Sequence, residues 1–258
     1  MMWTTQPRSE ISGHPAITAG KGEAVLFLHG VGLRAEAWLG QFNELSGHAH
    51  LVAPDMPGHG ENNLKLSNAS MSDYIEAAAD VLRGIGSPAT VVGHSMGSML
   101  ALALAERYPD HVRSVLALNA IFARDDDAAS AVQTRAASLD GKTTIDPQTT
   151  LYRWFKNEES PERTACQLWL TRTDPDGYKS AYLAFAHSDI PRQSMLARLS
   201  CPAVFMTGGE EPNSTPEMSR KMAEIAPMGR AIVIDDAAHM LPMTHPSEVN
   251  NVIRGLLQ

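Results

Sequence analysis

Six short runs of consecutive β-branched or aliphatic residues, separated by stretches of helical character, constrain the fold of this chain more than any other feature. They are Val25-Leu26-Phe27-Leu28, Leu51-Val52-Ala53, Thr90-Val91-Val92, Val115-Leu116-Ala117-Leu118, Val204-Phe205-Met206-Thr207 and Ala231-Ile232-Val233-Ile234. An apolar run without alternation is what a strand covered by helices on both faces requires. Segments 71–83, 98–107 and 216–225 read as helices, with Ser72, Ile75 and Glu76 marking the N-cap start of the first. Strand–helix–strand alternation implies right-handed crossovers and an α/β fold, a mostly parallel, doubly wound sheet flanked by helices. The residues before Val25 leave room for one or two weakly signalled strands.

The alternation lapses between residues 122 and 195. No run there reads as a strand, and Asp125-Asp126-Asp127, Asp146-Pro147, Ser160-Pro161 and Asp174-Pro175 divide it into amphipathic pieces. About 74 residues exceed what one crossover helix needs. The pattern predicts a helical insertion at 122–195, a cap on a core domain formed by 1–121 and 196–258. Of the chain's four Trp, five Tyr and six Phe, eight fall in this insertion. Their concentration predicts an apolar or ring-bearing ligand group beneath the cap.

A chain of 258 residues buries enough surface to fold without disulfides or a metal. Its formal net charge of −8 disfavours nucleic acid as a partner, since a phosphate-backbone binder needs a basic face. Two cysteines, Cys166 and Cys201, are too few for a disulfide framework and read as packing thiols. The start, Met1 to Arg8, lacks the apolar core of a secretory leader, and no apolar stretch is long enough to span a bilayer. The expected setting is therefore cytoplasmic, without a membrane partner. His48 and His50 have metal-like spacing but no companion cluster, so no metal or organic cofactor is expected. A homo-oligomer is compatible with the sequence, which does not set the oligomeric state.

The motif with the most chemistry is Gly93-His94-Ser95-Met96-Gly97. It falls between a strand run and an Ala/Leu-rich helix, where a serine is held clear of the sheet and the helix N-terminus favours developing negative charge. Serine needs a base to act as a nucleophile. Among ten histidines, His239 follows the last strand run through a short loop and so reaches the carboxyl edge of the sheet. His245, beside Pro246, leads into a final helix. His29 and His59 read as loop residues, and His94 as pointing away from Ser95. The imidazole needs a carboxylate to fix its tautomer, and the loop after Thr207 offers Glu210 and Glu211.

These segments together resemble the α/β-hydrolase superfamily, in its serine-nucleophile branch of esterases, lactonases and meta-cleavage-product hydrolases. Leu28-His29-Gly30-Val31-Gly32 with Trp38 is similar to that family's oxyanion loop, Pro54 to Gly60 to its next conserved-order segment, Gly93 to Gly97 to its nucleophile elbow, and Ala238-His239-Met240-Leu241-Pro242 to its histidine loop. The resemblance implies a Ser95–Glu211–His239 triad, with Glu211-Pro212 standing where the family usually has Asp-Pro. It also implies an oxyanion hole from the backbone N–H groups of Val31 and Met96. The candidate pocket positions are Trp38 and Met240 in these motifs and Trp154 and Trp169 in the aromatic-rich insertion.

The expected activity is hydrolysis of a small, partly apolar carboxylic ester or lactone through an acyl-enzyme on Ser95. The alternatives are C–C bond hydrolysis of the meta-cleavage type, cofactor-free haloperoxidase or perhydrolase chemistry, and a ligand sensor with a slow triad. His94 and Met240 stand where C–C hydrolases commonly carry Asn and Trp. A nucleotide-dependent enzyme is disfavoured by the lack of a Gly-x-Gly-x-x-Gly after the first strand run and of any Walker-type Gly-Lys-Ser/Thr. Arg135, Arg153 and Arg172 are candidates to hold a substrate carboxylate.

Overall fold

The computed structural model describes residues 3–66 and 69–258. Met1 and Met2, at the head of the segment read for a leader, lie outside the described residues. All six apolar runs fall within strands: β3 (Ala24–Leu28), β4 (His50–Pro54), β5 (Ala89–His94), β6 (Val112–Leu118), β7 (Ala203–Gly208) and β8 (Gly229–Ile234). Two more precede them, β1 (Ser9–Ile11) and β2 (His14–Ala19). The sheet runs in the order β1-β2-β4-β3-β5-β6-β7-β8. β2 lies antiparallel to both its neighbours, and β3 to β8 are mutually parallel. Strands β3 and β5 are buried throughout, as unalternated sequence requires. β8 departs from that pattern. It is an edge strand of mostly half-buried residues, because it has a neighbour on one side only.

Helices cover both faces. On one, α2 (Met71–Ile85) and α3 (Met96–Arg107) pack over Val91, Val115 and Leu26. On the other, α1 (Leu39–Leu45) and the C-terminal helix Pro246–Leu256 enclose Phe27, Val92 and Leu116. Helix α3 is buried from Met96 to Ala105, and its Ala-rich sequence lets it lie close against the sheet. The N-cap of α2 is Ser70, two residues before the predicted one. A capping box with Asp73 fixes it there, and Gly86 at φ 76° ends the helix.

Between β6 and β7 the chain forms α4 (Asp126–Ser138), α5 (Gln148–Phe155), α6 (Pro161–Arg172), α7 (Pro175–Ala186) and the short α8 (Gln193–Leu196). Asp125 and Ser160 cap α4 and α6, and Pro161 and Pro175 begin α6 and α7. The acidic and Pro breaks of the sequence thus became helix starts. Helices α5, α6 and α7 share a separate apolar cluster with Leu33, Met240 and Met243. Both cysteines are free and buried. After β7 come α9 (Pro216–Ile225), β8, α10 (Leu241–Thr244) and α11 (Pro246–Leu256). No described helix is long and apolar enough to cross a membrane.

One buried ionic cluster was not foreseen. Arg8 pairs with Glu36 and Asp55, each at 2.8 Å, and both carboxylates are fully buried. Asp55 also accepts from the N–H groups of Ala35 and Glu61, so the cluster ties the N-terminal segment to the loops after β3 and β4. Burial opposes ionisation of Glu36, but hydrogen bonds from Arg8, Gln6 and Arg34 hold its carboxyl down at about 2. A depressed carboxyl contributes stability above its unfolded value, and that contribution is lost as pH falls toward 2. Arg8→Met leaves two buried carboxylates short of a partner. It is expected to destabilise the fold by about 3–5 kcal/mol, seen as a lower urea midpoint with an unchanged slope.

Candidate active site

Ser95 sits between β5 and α3 with φ 55° and ψ −120°, backbone territory that a side chain rarely occupies. Two glycines make the turn possible. A Cβ on Gly93 would lie 2.1 Å from the Gly97 carbonyl oxygen, and one on Gly97 would lie 2.0 Å from that of Leu28. The Ser95 N–H donates to the Leu118 carbonyl at 2.9 Å, and the Ser95 carbonyl accepts from the Ser98 N–H at 2.9 Å. The serine is thereby anchored to β6 on one side and to α3 on the other.

His239, in the loop after β8, places its Nδ1 2.5 Å from Glu211 Oε2. Nδ1–H donates to the carboxylate, which leaves Nε2 unprotonated in the neutral ring. Glu211 is buried, and its Oε1 accepts from the Asn213 N–H at 2.9 Å. Asn119, directly after β6, donates Nδ2 to Glu211 Oε2 at 3.3 Å. Burial opposes ionisation of Glu211, yet the charge and hydrogen bond of His239 and the N–H groups of Asn213 and Ser214 hold its carboxyl at about 2. Glu210 points elsewhere, to Lys156 at 2.6 Å. His245 contacts Thr244 and Asp236 instead.

Ser95 and His239 line one cavity of about 350 Å³, together with Val31 and walls from α4, α5 and α7. The Trp154 ring stacks over His239, with centroids 5.6 Å apart and planes at 17°. Gly30 packs against Ser95 closely enough that a Cβ there would sit 3.0 Å from the serine Cβ. This brings the next residue, Val31, beside the serine. Neither the Val31 N–H nor the Met96 N–H donates to a protein acceptor among the described residues.

Histidines that the sequence left as loop residues brace this loop. His59 Nδ1–H donates to the Pro57 carbonyl while Nε2 accepts from the Gly32 N–H, each at 3.0 Å. His29 donates Nδ1–H to the Gly30 carbonyl at 2.8 Å and accepts from the Met56 N–H at 3.0 Å. Burial lowers both, His29 to about 4, so both remain neutral with fixed tautomers. His94 does not simply point away. Its Nε2–H donates to the His239 carbonyl at 2.7 Å, and burial, with repulsion from His239, holds it at about 3. No local pattern in the sequence marks that contact across 145 residues. Asn119 had a readable signal, a polar residue directly after a strand at the sheet's carboxyl edge, where open α/β sheets bind ligands.

Three predicted pocket positions are not on this cavity. Trp38 is fully buried on the opposite face of the sheet, its ring 5.1 Å from that of Phe27. Trp169 stands edge-on to Trp3 and lines a second cavity of about 560 Å³ with Arg172. Met240 is buried in the apolar cluster beneath α5 and α6. Each follows from tertiary packing that spacing along the chain does not encode. The expected apolar lining is also incomplete. Tyr178, Tyr182 and Phe185 are on the wall, but so are Arg124, Arg135 and Arg153. Among the described residues, no group of three or more His, Cys, Asp or Glu is placed to hold a metal ion.

A parallel sheet, a serine on a strained strand–helix turn and a histidine–carboxylate pair at the sheet's carboxyl edge define a class of hydrolase folds. The family model described as "Alpha/beta hydrolase family" matches residues 25–252, and the chain belongs to that family. It is 37% identical over 243 residues, 93% of this chain and 92% of the relative, to (E)-2-((N-methylformamido)methylene)succinate hydrolase of Acinetobacter baylyi. Among solved structures, a thermophilic esterase from Thermogutta terrifontis with malate bound superposes with a TM-score of 0.85 at 26% identity, covering 98% of both chains. The enol-lactonase of Burkholderia xenovorans shares the fold, with a TM-score of 0.85 at 19% identity over 97% of this chain and 99% of that one. The chain is therefore a hydrolase of this family.

Proposed function

We propose that the protein is a serine hydrolase that cleaves a carboxylic acyl bond of a small molecule through an acyl-enzyme on Ser95. The observation that carries this reading is the shared cavity: Ser95 opens into it beside His239, whose Nδ1–H is held by the buried Glu211. Ser95 Oγ attacks the substrate carbonyl while His239 Nε2 takes its proton. The tetrahedral intermediate collapses, the bond to the leaving group breaks, and His239 returns the proton to that group. Water then repeats the sequence on the acyl-enzyme, its proton passing to His239 and back to Ser95 as the acid departs. The Val31 and Met96 N–H groups stabilise the oxyanion, a role supported by their having no backbone acceptor among the described residues. Helices α4–α7 serve as the cap that shapes the substrate.

Ester and lactone bonds suit this chemistry. So does an activated amide, the bond class named in the Acinetobacter relative, whose substrate joins a formamide to a succinate. A fluorophosphonate probe tests the nucleophile without knowledge of the substrate. The expected result is a single adduct per chain, mapped by mass spectrometry to the peptide containing Ser95. Labelling of another residue, or none in folded protein, overturns the reading.

A further inference from the structure

The cavity at Ser95 reverses the electrostatic character of the chain. The net charge is −8, yet three of the 21 Lys and Arg, namely Arg124, Arg135 and Arg153, line this one cavity. Its wall carries one carboxylate besides the triad loop, Asp125, and that group is already engaged: Oδ1 accepts from the Ala128 N–H at 2.7 Å as the cap of α4. None of the three guanidiniums forms an ion pair among the described residues.

Two of them are held in place without satisfying their donors. Arg124 lies over the Phe185 ring, 4.5 Å from its centroid, and its buried Nη2 has no hydrogen-bond partner. Arg135 lies over Tyr182 at 5.5 Å, donates Nη2 to Thr150 Oγ1 at 3.2 Å, and has a buried Nε without a partner. The two rings are neighbours on α7, with centroids 5.8 Å apart. A guanidinium stays charged and presents five donors in a fixed fork. Burying one without a counter-ion is costly, and ring stacking returns only part of that. Elsewhere the chain obeys this rule, since the buried Arg8 meets two carboxylates. Side chains fixed by aromatic rings on the wall of a cavity, with no counter-ion of their own, are preorganised for an anion that arrives from outside.

We propose that Arg124, Arg135 and Arg153 form a carboxylate clamp and that the substrate is an acyl derivative carrying two free carboxylates. Three cations against Asp125 leave an excess of two, which a dianion neutralises. Planar forks bind carboxylates through paired N–H donors, giving orientation as well as attraction. Binding energy collected at this remote end places the scissile carbonyl at Ser95. The clamp concerns the same cavity as the proposed hydrolase activity and rests on that reading for the reacting carbonyl.

Succinate, butyrate and succinamide, a dianion, a monoanion and a neutral isostere, separate charge from shape. Calorimetric titration of each into Ser95→Ala protein is expected to show succinate binding at least about tenfold more tightly than butyrate, with succinamide weaker still. In the same background Arg124→Gln, Arg135→Gln and Arg153→Gln each weaken succinate by about tenfold or more, and Arg135→Lys retains more affinity than Arg135→Gln. Equal affinity for the three ligands overturns the proposal, as does undiminished succinate binding in Gln variants whose melting matches the parent. If a Gln variant fails to fold, the three-ligand comparison on the parent decides. Should Ser95→Ala still hydrolyse p-nitrophenyl acetate, the hydrolase reading fails, while succinate binding still tests the clamp on its own.

Discussion

Replacing Ser95 with alanine is expected to lower kcat for p-nitrophenyl acetate by about 10⁵- to 10⁶-fold, about 7–8 kcal/mol of transition-state stabilisation. The size of the loss follows from the roles given to the residues. Without Oγ, His239 has no nucleophile to deprotonate, and the pair it forms with Glu211 has nothing to act on. What survives is binding and the two N–H groups at Val31 and Met96, which together leave a small residual rate over water. The fold should hardly notice. Alanine keeps the Cβ against which Gly30 packs, and the anchoring bonds from Ser95 use only its backbone. The φ of 55° is as strained for alanine as for serine. Melting within about 2 °C of the parent, with KM little changed, is the expected companion result. Retention of more than about one-hundredth of the parent kcat would mean that another residue carries the chemistry.

The sequence exposed those features whose causes are local. A strand buried on both faces must be apolar at each position, so β3 to β7 could be read directly. A serine on a tight strand–helix turn needs small residues at 93 and 97, and the motif is their trace. β1 and β2 left only a weak signal, because β1 has three residues and pairs antiparallel at the sheet edge. The misplaced residues share a different cause. Trp38, beside a motif, and Trp169, in the insertion, are large apolar side chains, and nothing along the chain says which face of the sheet or which cavity receives them. Charged groups were harder still. Arg8 meets Asp55 across 47 residues, and Arg124, in the segment before α4, reaches the ring of Phe185 on α7. A long side chain can end in any of several places, and only the packed neighbours choose one. Of the arginines named as carboxylate candidates, Arg135 and Arg153 came to the cavity and Arg172 did not.

Glu211→Gln tests the carboxylate that the family resemblance selected over Glu210. The expected loss in kcat is about 10⁴-fold, with melting at pH 7 lowered far less in proportion. Glutamine keeps the shape and can still meet the ring, but its side chain can present an N–H to Nδ1 and favour the tautomer that leaves a proton on Nε2. Ser95 then faces a donor where it needs an acceptor. Glutamine also removes the charge that stabilises the imidazolium formed at each proton transfer. Glu210→Gln, by contrast, breaks an exposed pair with Lys156 and should change kcat by less than about twofold. The pH dependence separates the two carboxylates further. With its carboxyl held at about 2, Glu211 stays ionised as the solution is acidified to pH 4, so it does not set the acid limb of kcat/KM. It does affect stability. Because the folded value lies below the unfolded one, Glu211 stabilises the fold fully above about pH 5, and this contribution fades as pH falls toward 2. Urea unfolding between pH 3 and pH 7 should therefore show the parent losing more stability on acidification than Glu211→Gln does. A parallel loss in both proteins would place the ionised partner of His239 elsewhere.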